Sequence, residues 1–147
     1  MALTDKQIEK IRVGNWINAS FLIEVQGNDK EYVKKSLEDM IARLKKEKGA
    51  DVYEEKYDEI HELDKKLYSY NVEVRFLAKH FGILTHLTLL YSPSVVEIYE
   101  PKKITVEIGE AQNLLIDIAS VVTSLAHALF IQTGKLRKYE PQKEESS

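Results

Sequence analysis

Apolar and polar residues change their rhythm several times along the chain, and each change marks an element. Residues 16–26 alternate: Ile17, Ala19, Phe21, Ile23 and Val25 point one way, and Asn18, Ser20, Leu22, Glu24 and Gln26 the other, the signature of a half-buried strand. Residues 70–77 repeat it, with Tyr70, Val72, Val74 and Phe76 opposite Asn71, Glu73, Arg75 and Leu77. Between them, Val33, Leu37, Met40, Ile41 and Leu44 recur at helical spacing within 29–48, and i,i+4 charge pairs such as Glu31–Lys35 support the opposite face. Asn28 with Glu31 reads as the N-cap pair of this helix, and Gly49 as its stop. Ahead of the first strand, Thr4 and Gln7 form a capping box that opens a short helix over 5–12, broken by Gly14-Asn15.

Residues 51–61 predict a strand that is polar on both faces, which belongs at a sheet edge. A polar connection, 62–66, follows it. A short apolar helix over 79–91 ends at Ser92-Pro93, and 95–99 is a further strand. After the turn 100–103, residues 104–108 are expected to return as a hairpin partner. The order of elements from Trp16 to Tyr99 is β-α-β-β-α-β, so the expected fold is α+β, a ferredoxin-like sandwich. That plan seats the first and third strands centrally and the second at an edge. The two cleanly alternating strands are the first and third, and the doubly polar one is the second.

The last long segment, 110–132, departs from an ordinary surface helix. Asn113, Asp117, Ser120, Ser124 and His127 recur at steps of four, three, four and three, one narrow polar stripe. Almost everything else is apolar. A helix that buried one stripe against its own domain would leave the remainder bare, so a second packing partner is expected, with Leu114, Ile118, Val121, Val122, Leu125 and Leu129 as interface residues. The expected organisation is one domain over 1–134, with a core at 14–108, the long helix at 110–132 and a frayed polar tail at 135–147.

The run from Val72 to Phe76, the short apolar helix, and then Tyr91-Ser92-Pro93-Ser94-Val95-Val96-Glu97-Ile98-Tyr99-Glu100-Pro101 followed by a helix is similar to the ferredoxin-like C-terminal extension behind the WYL domain of bacterial transcriptional regulators. The resemblance covers 72–125. It implies the same fold and a regulatory or ligand-sensing role. The Gly-Pro common before that strand is Ser92-Pro93 here, no WYL-type domain or helix-turn-helix accompanies it, and no functional residue carries over.

At 147 residues the chain can bury a core without covalent staples. It has no cysteine, so thiol catalysis, disulfides and cysteine metal sites are excluded. The absence of cysteine fits a reducing compartment, and few prolines with many Lys/Glu pairs in a charged fraction of 31% suggest a thermophilic host. Net charge −3 and pI near 5.8 argue against nucleic acid. The charged N-terminus is no secretory signal, and the apolar stretch 114–131 carries Asp117 and His127, so a partner-facing helix is preferred to a membrane span. A cytoplasmic location follows as the expectation.

Several constellations could carry chemistry. The acidic stretch from Asp51 to Asp64 with His61 offers oxygen and imidazole ligands, Tyr57, Glu59 and His61 sharing a strand face. It lacks the tight glycine loop that gathers oxygens around a hard cation, so a charged edge strand is the preferred reading and no metal site is assigned. Asp117, Ser124 and His127 have the residue types of a triad, but Asp117 stands about 15 Å of helix rise from His127, beyond reach. The candidate ligand site is the uncovered sheet face: Asn18, Ser20, Glu24, Asn71, Glu73 and Arg75. A buried glutamate there could serve as acid or base, and the competing reading is plain cross-strand pairing with Arg75. No open-face aromatic falls on these two strands, unlike sheets that stack RNA bases. The sequence thus points to a non-catalytic, self-associating binding or regulatory module for a small ligand, with no cofactor. A small isomerase- or lyase-type enzyme using the Glu/Arg face is the first alternative, and an interaction subunit of a hetero-complex the second.

Overall fold

A computed structural model describes residues 2–139. The chain divides at Val106/Glu107 into two compact units. The first contains α1 (Asp5–Arg12), β1 (Ile17–Gly27), α2 (Lys30–Leu44), β2 (Ala50–Tyr57), β3 (His61–Asp64), β4 (Leu67–Ala78), α3 (Phe81–Tyr91) and β5 (Val95–Glu100); the second is built on α4 (Ile108–Tyr139).

The first unit is α+β with an antiparallel five-stranded sheet, ordered β2-β4-β1-β5, and β3 also pairs with β4. This is the ferredoxin-like arrangement that the alternation predicts, with the two cleanly alternating strands, β1 and β4, side by side at the centre over 11 register pairs from Ile17↔Ala78 to Gly27↔Tyr68. Both helices of the repeat pack on one face. Val33, Leu37, Ile41 and Leu44 of α2 and Leu84, Leu87 and Tyr91 of α3 join Phe21, Ile23, Val72, Val74 and Phe76 in a single buried cluster. Phe21 and Phe76 meet edge to face at its centre, ring centroids 4.7 Å apart.

Local signals set most boundaries. The Thr4/Gln7 capping box opens α1 as expected. α2 starts one residue later than the sequence suggests: Asp29, not Asn28, is the N-cap, and its carboxylate accepts the amides of Glu31 and Tyr32 at 3.0 and 3.3 Å. α2 closes at Leu44, and Gly49, at φ +81°, makes the turn into β2. A Cβ there would approach the Ile83 side chain at 3.1 Å, so both the backbone angle and the space favour glycine. His80 caps α3, its Nδ1 accepting from the Ile83 amide at 3.4 Å.

Three expectations need correction. The predicted strand 51–61 is interrupted at 58–60, and the predicted connection 62–66 instead holds β3 (His61–Asp64) and the turn to β4. Residues 104–107 form no strand, so there is no hairpin return after β5; Ile104 packs against the core from a loop. Finally, α4 begins at Ile108 and continues through 135–139, which the sequence assigned to the tail; the rest of that tail, 140–147, lies outside the described residues.

Candidate functional site

The sheet face opposite α2 and α3 carries the side chains of β1 and β4 that point away from the core. In register these are Asn18↔Leu77, Ser20↔Arg75, Leu22↔Glu73 and Glu24↔Asn71. All six predicted ligand-site residues therefore lie on this face, yet they do not form one cluster. Leu77 is fully buried, at the end where α1 is tied to Asp51 by Lys10 (3.0 Å) and Gln7 (3.4 Å). At the opposite end Glu24 accepts from Ser69 at 2.5 Å and from Gln26 at 2.8 Å. Those two bonds hold its carboxyl below the usual carboxylate range. Glu24 is spent locally and does not pair with Arg75.

The middle of the face is a denser network that the two central strands alone do not reveal. The Arg75 guanidinium stands 3.4 Å from the Glu54 carboxylate of β2 and 3.5 Å from Glu73. It also stacks 4.9 Å from the centre of the Tyr99 ring of β5, across the intervening strand β1. The Tyr99 hydroxyl bonds Ser20 at 2.9 Å and donates to Glu97 at 3.0 Å. The Tyr53 hydroxyl donates to Asn18 at 2.6 Å, and burial pushes the Tyr53 phenol up. Asn18 and Ser20 are themselves buried, with 9% and 4% exposure.

Tyr53 and Tyr99 share this face with Asp51 and Glu97 by the alternation of their own strands, and two irregularities lie beside them. The β2–β4 register slips between Val52 and Glu54, so Tyr53 and Glu54, adjacent in sequence, both serve the same face. The β1–β5 register slips between Asn18 and Ala19, passing from Glu100 to Ile98 and leaving Tyr99 unpaired with β1. The first slip re-aims Glu54 in this way. Sequence reasoning missed both tyrosines because it assigned the open face from the two central strands alone, although alternation with Asp51 and with Glu97 directs them there.

A cavity of about 250 Å³ opens on the face between β1, β4 and β5, lined by Ser20, Leu22, Glu73, Val95 and Glu97. Its walls are two carboxylates, a hydroxyl and two aliphatic chains. That arrangement can receive a small polar molecule.

The acidic stretch does not keep Tyr57, Glu59 and His61 on one strand face as the alternation implied. Tyr57 stacks on Tyr70 with centroids 5.5 Å apart, while Asp58 turns back to bond the His61 ring at 3.1 Å. Tyr57, Glu59 and His61 thus do not line up along one strand. Among the described residues, no group of three or more His, Asp or Glu side chains is placed to hold a metal ion.

The second unit presents the other candidate surface. Along α4, Ile118, Val122, Leu125 and Leu129 of the predicted interface are exposed, at 40–64%; Leu114 and Val121 are intermediate. Residues Ile108–Gly134 are long and apolar enough to cross a membrane, with a mean hydropathy of 2.0 over the most apolar 18 residues.

The model of the MJ0538 family matches residues 18–137, a stretch that takes in every strand and nearly all of α4. No curated protein and no solved structure matches the chain.

Proposed function

We propose, for a chain that belongs to the MJ0538 family, a non-catalytic module that assembles with copies of itself and binds a small polar ligand on its open sheet face. The observation that carries this reading is the unburied apolar surface of α4, where Leu115, Val122, Leu125 and Leu129 are each 59–68% exposed. Contiguous apolar surface on that scale marks an interaction site. The family match extends through the helix, so α4 is part of what defines the family rather than an appendage to it.

The ligand half of the reading rests on the cavity between Ser20, Glu73 and Glu97. The likeness of residues 72–125 to the extension of WYL-domain regulators supports a sensing role over a catalytic one. Charge also favours it, since the face carries Glu24, Glu54, Glu73 and Glu97 against Arg75. Such a face suits neither nucleic acid nor phosphate.

A cytoplasmic, membrane-free location belongs to the same proposal. Its support is the stripe of Asn113, Asp117, Ser120, Ser124 and His127, since an aspartate near the middle of a spanning helix costs about 2.5–3.5 kcal/mol. Membrane anchoring is the second reading, favoured by the length and hydropathy of Ile108–Gly134. Light scattering on the full chain without detergent, beside flotation with liposomes, separates the two. A soluble oligomer that stays with the protein fraction supports assembly; a chain recovered only with lipid overturns it. A soluble monomer would instead favour a different protein as partner.

A further inference from the structure

Six of the nine exposed large apolar residues described on α4 fall on one line. Ile108, Ala111, Leu115, Ile118, Val122, Leu125, Leu129 and Gln132 follow one another at steps of three, four, three, four, three, four and three. That is a heptad seam of three and a half repeats, and its large apolar members are 40–87% exposed. The positions that flank the seam are Gln112, Leu114, Ala119, Val121, Ala126 and Ala128, five of them small or apolar and none charged. The polar stripe Asn113, Asp117, Ser120, Ser124 and His127 falls at the two heptad positions farthest from the seam. Ile116, Phe130 and Ile131 are exposed outside the seam, and the six-residue line with its wide apolar margin sets the orientation.

We infer that α4 forms a parallel or antiparallel bundle of three or more α4 helices from identical chains, packed through the Ile108–Leu129 seam, with the polar stripe on the outside. The inference rests on the assembly reading and specifies its partner and geometry. In two-stranded coiled coils the flanking positions sit at the wet rim and carry charges. Uncharged flanks such as Leu114, Ala119, Val121 and Ala126 widen the apolar arc to what a helix with two neighbours buries. The core pairs are mixed, Leu115 with Ile118 favouring three or four strands and Val122 with Leu125 two, so the uncharged flanks decide for the larger number. The six large seam residues present on the order of 600–700 Å² of apolar surface, close to the ~800 Å² per partner buried by stable complexes.

A bilayer fits the same helix less well. The seam's regular three-four spacing has no meaning to lipid, and the opposite face would carry Asn113, Asp117 and His127 into hydrocarbon.

The test is the mass of the full chain by light scattering across a concentration series, with two double variants. Val122→Asp with Leu125→Asp places two charges in the seam; Ser120→Asp with Ser124→Asp places the same two charges on the stripe. Circular dichroism at high protein concentration verifies that each variant remains folded. The expected result is a trimer or larger for the natural chain, with the assembly midpoint raised more than 100-fold by the seam pair and less than threefold by the stripe pair. A dimer, or an oligomer indifferent to the seam pair, overturns the bundle and leaves assembly standing. A monomer at all concentrations, or assembly confined to liposomes, overturns both.

Discussion

At the scale of single residues, the fold depends on a few side chains at the junction of β1 and β4. Phe76 is fully buried against the Phe21 ring at the centre of the core cluster. Phe76→Ala is expected to cost about 3–5 kcal/mol, read as a lowered urea midpoint at unchanged m-value. Tyr91 has a different consequence. It is 5% exposed and donates to Glu47 at 2.9 Å, and burial together with that carboxylate pushes its phenol up to about 12 from an ordinary 10.0. The neutral phenol is favoured in the folded chain, so its contribution is complete below pH 10 and is lost as pH rises from 10 towards 12, where only the unfolded chain ionises readily. Tyr91→Phe should lose about 1 kcal/mol near neutrality and show a shallower fall in stability above pH 10, measured by denaturant titration at several alkaline pH values. The position of Asp29 as N-cap was within one residue of what the sequence indicates. Asn28 and Asp29 are both good caps, and only the direction in which the chain leaves β1 selects between them.

At the scale of elements, legibility followed burial. β1 and β4 bury one full face, so their alternation is strict and the facing of their residues could be read directly. β3 buries nothing: all four of its residues are exposed, no apolar rhythm marks it, and its pairing with β4 is a matter of backbone hydrogen bonds alone. The reverse error occurred at 104–108, where Ile104, Val106 and Ile108 alternate like a strand without an edge that pairs them. The candidate site was half legible for the same reason. Asn18, Ser20, Glu73 and Arg75 come from the regular central strands, whereas Glu54 reaches the face only through the register slip after Val52, and no counting in twos finds it. Among the helices of the first unit, α1 is the weakest. None of its residues is buried, and its ties include the capping box, the Gln7–Asp51 hydrogen bond, the partly exposed Lys10–Asp51 pair and Lys10 over the Trp16 ring. Exposed pairs of that kind contribute at most about 1 kcal/mol. Hydrogen exchange should therefore release the amides of α1 well before those of α2 and α3, through local opening rather than global unfolding.

For the whole molecule, every buried residue of the core cluster lies between Ile17 and Tyr91, within the first unit. A chain ending at Val106 is expected to keep cooperative unfolding and its near-ultraviolet dichroism. On the proposed reading it also becomes monomeric, and its melting temperature ceases to depend on protein concentration, whereas the full chain's rises with concentration. A truncated chain that fails to fold would show that the second unit contributes to the stability of the first. The long helix was visible in the sequence from its narrow polar stripe, but its extent was not. The tail at 135–139 reads as polar and loop-like, yet it prolongs α4, because Lys, Leu and Arg are good helix formers and no proline interrupts them before Pro141.

The separation of a self-sufficient sheet unit from a later apolar helix has a consequence for how the protein is made. Chains emerge from the ribosome N-terminal end first, at about 5–20 residues per second, and domains fold as units on the way. All the residues from Ile17 to Tyr91 are synthesised before Leu115 exists, so the sandwich can close while the greasy rod is still being translated. The most aggregation-prone surface thus reaches solvent only on a nascent chain whose body is already folded, and on a polysome it does so near sister chains at the same stage.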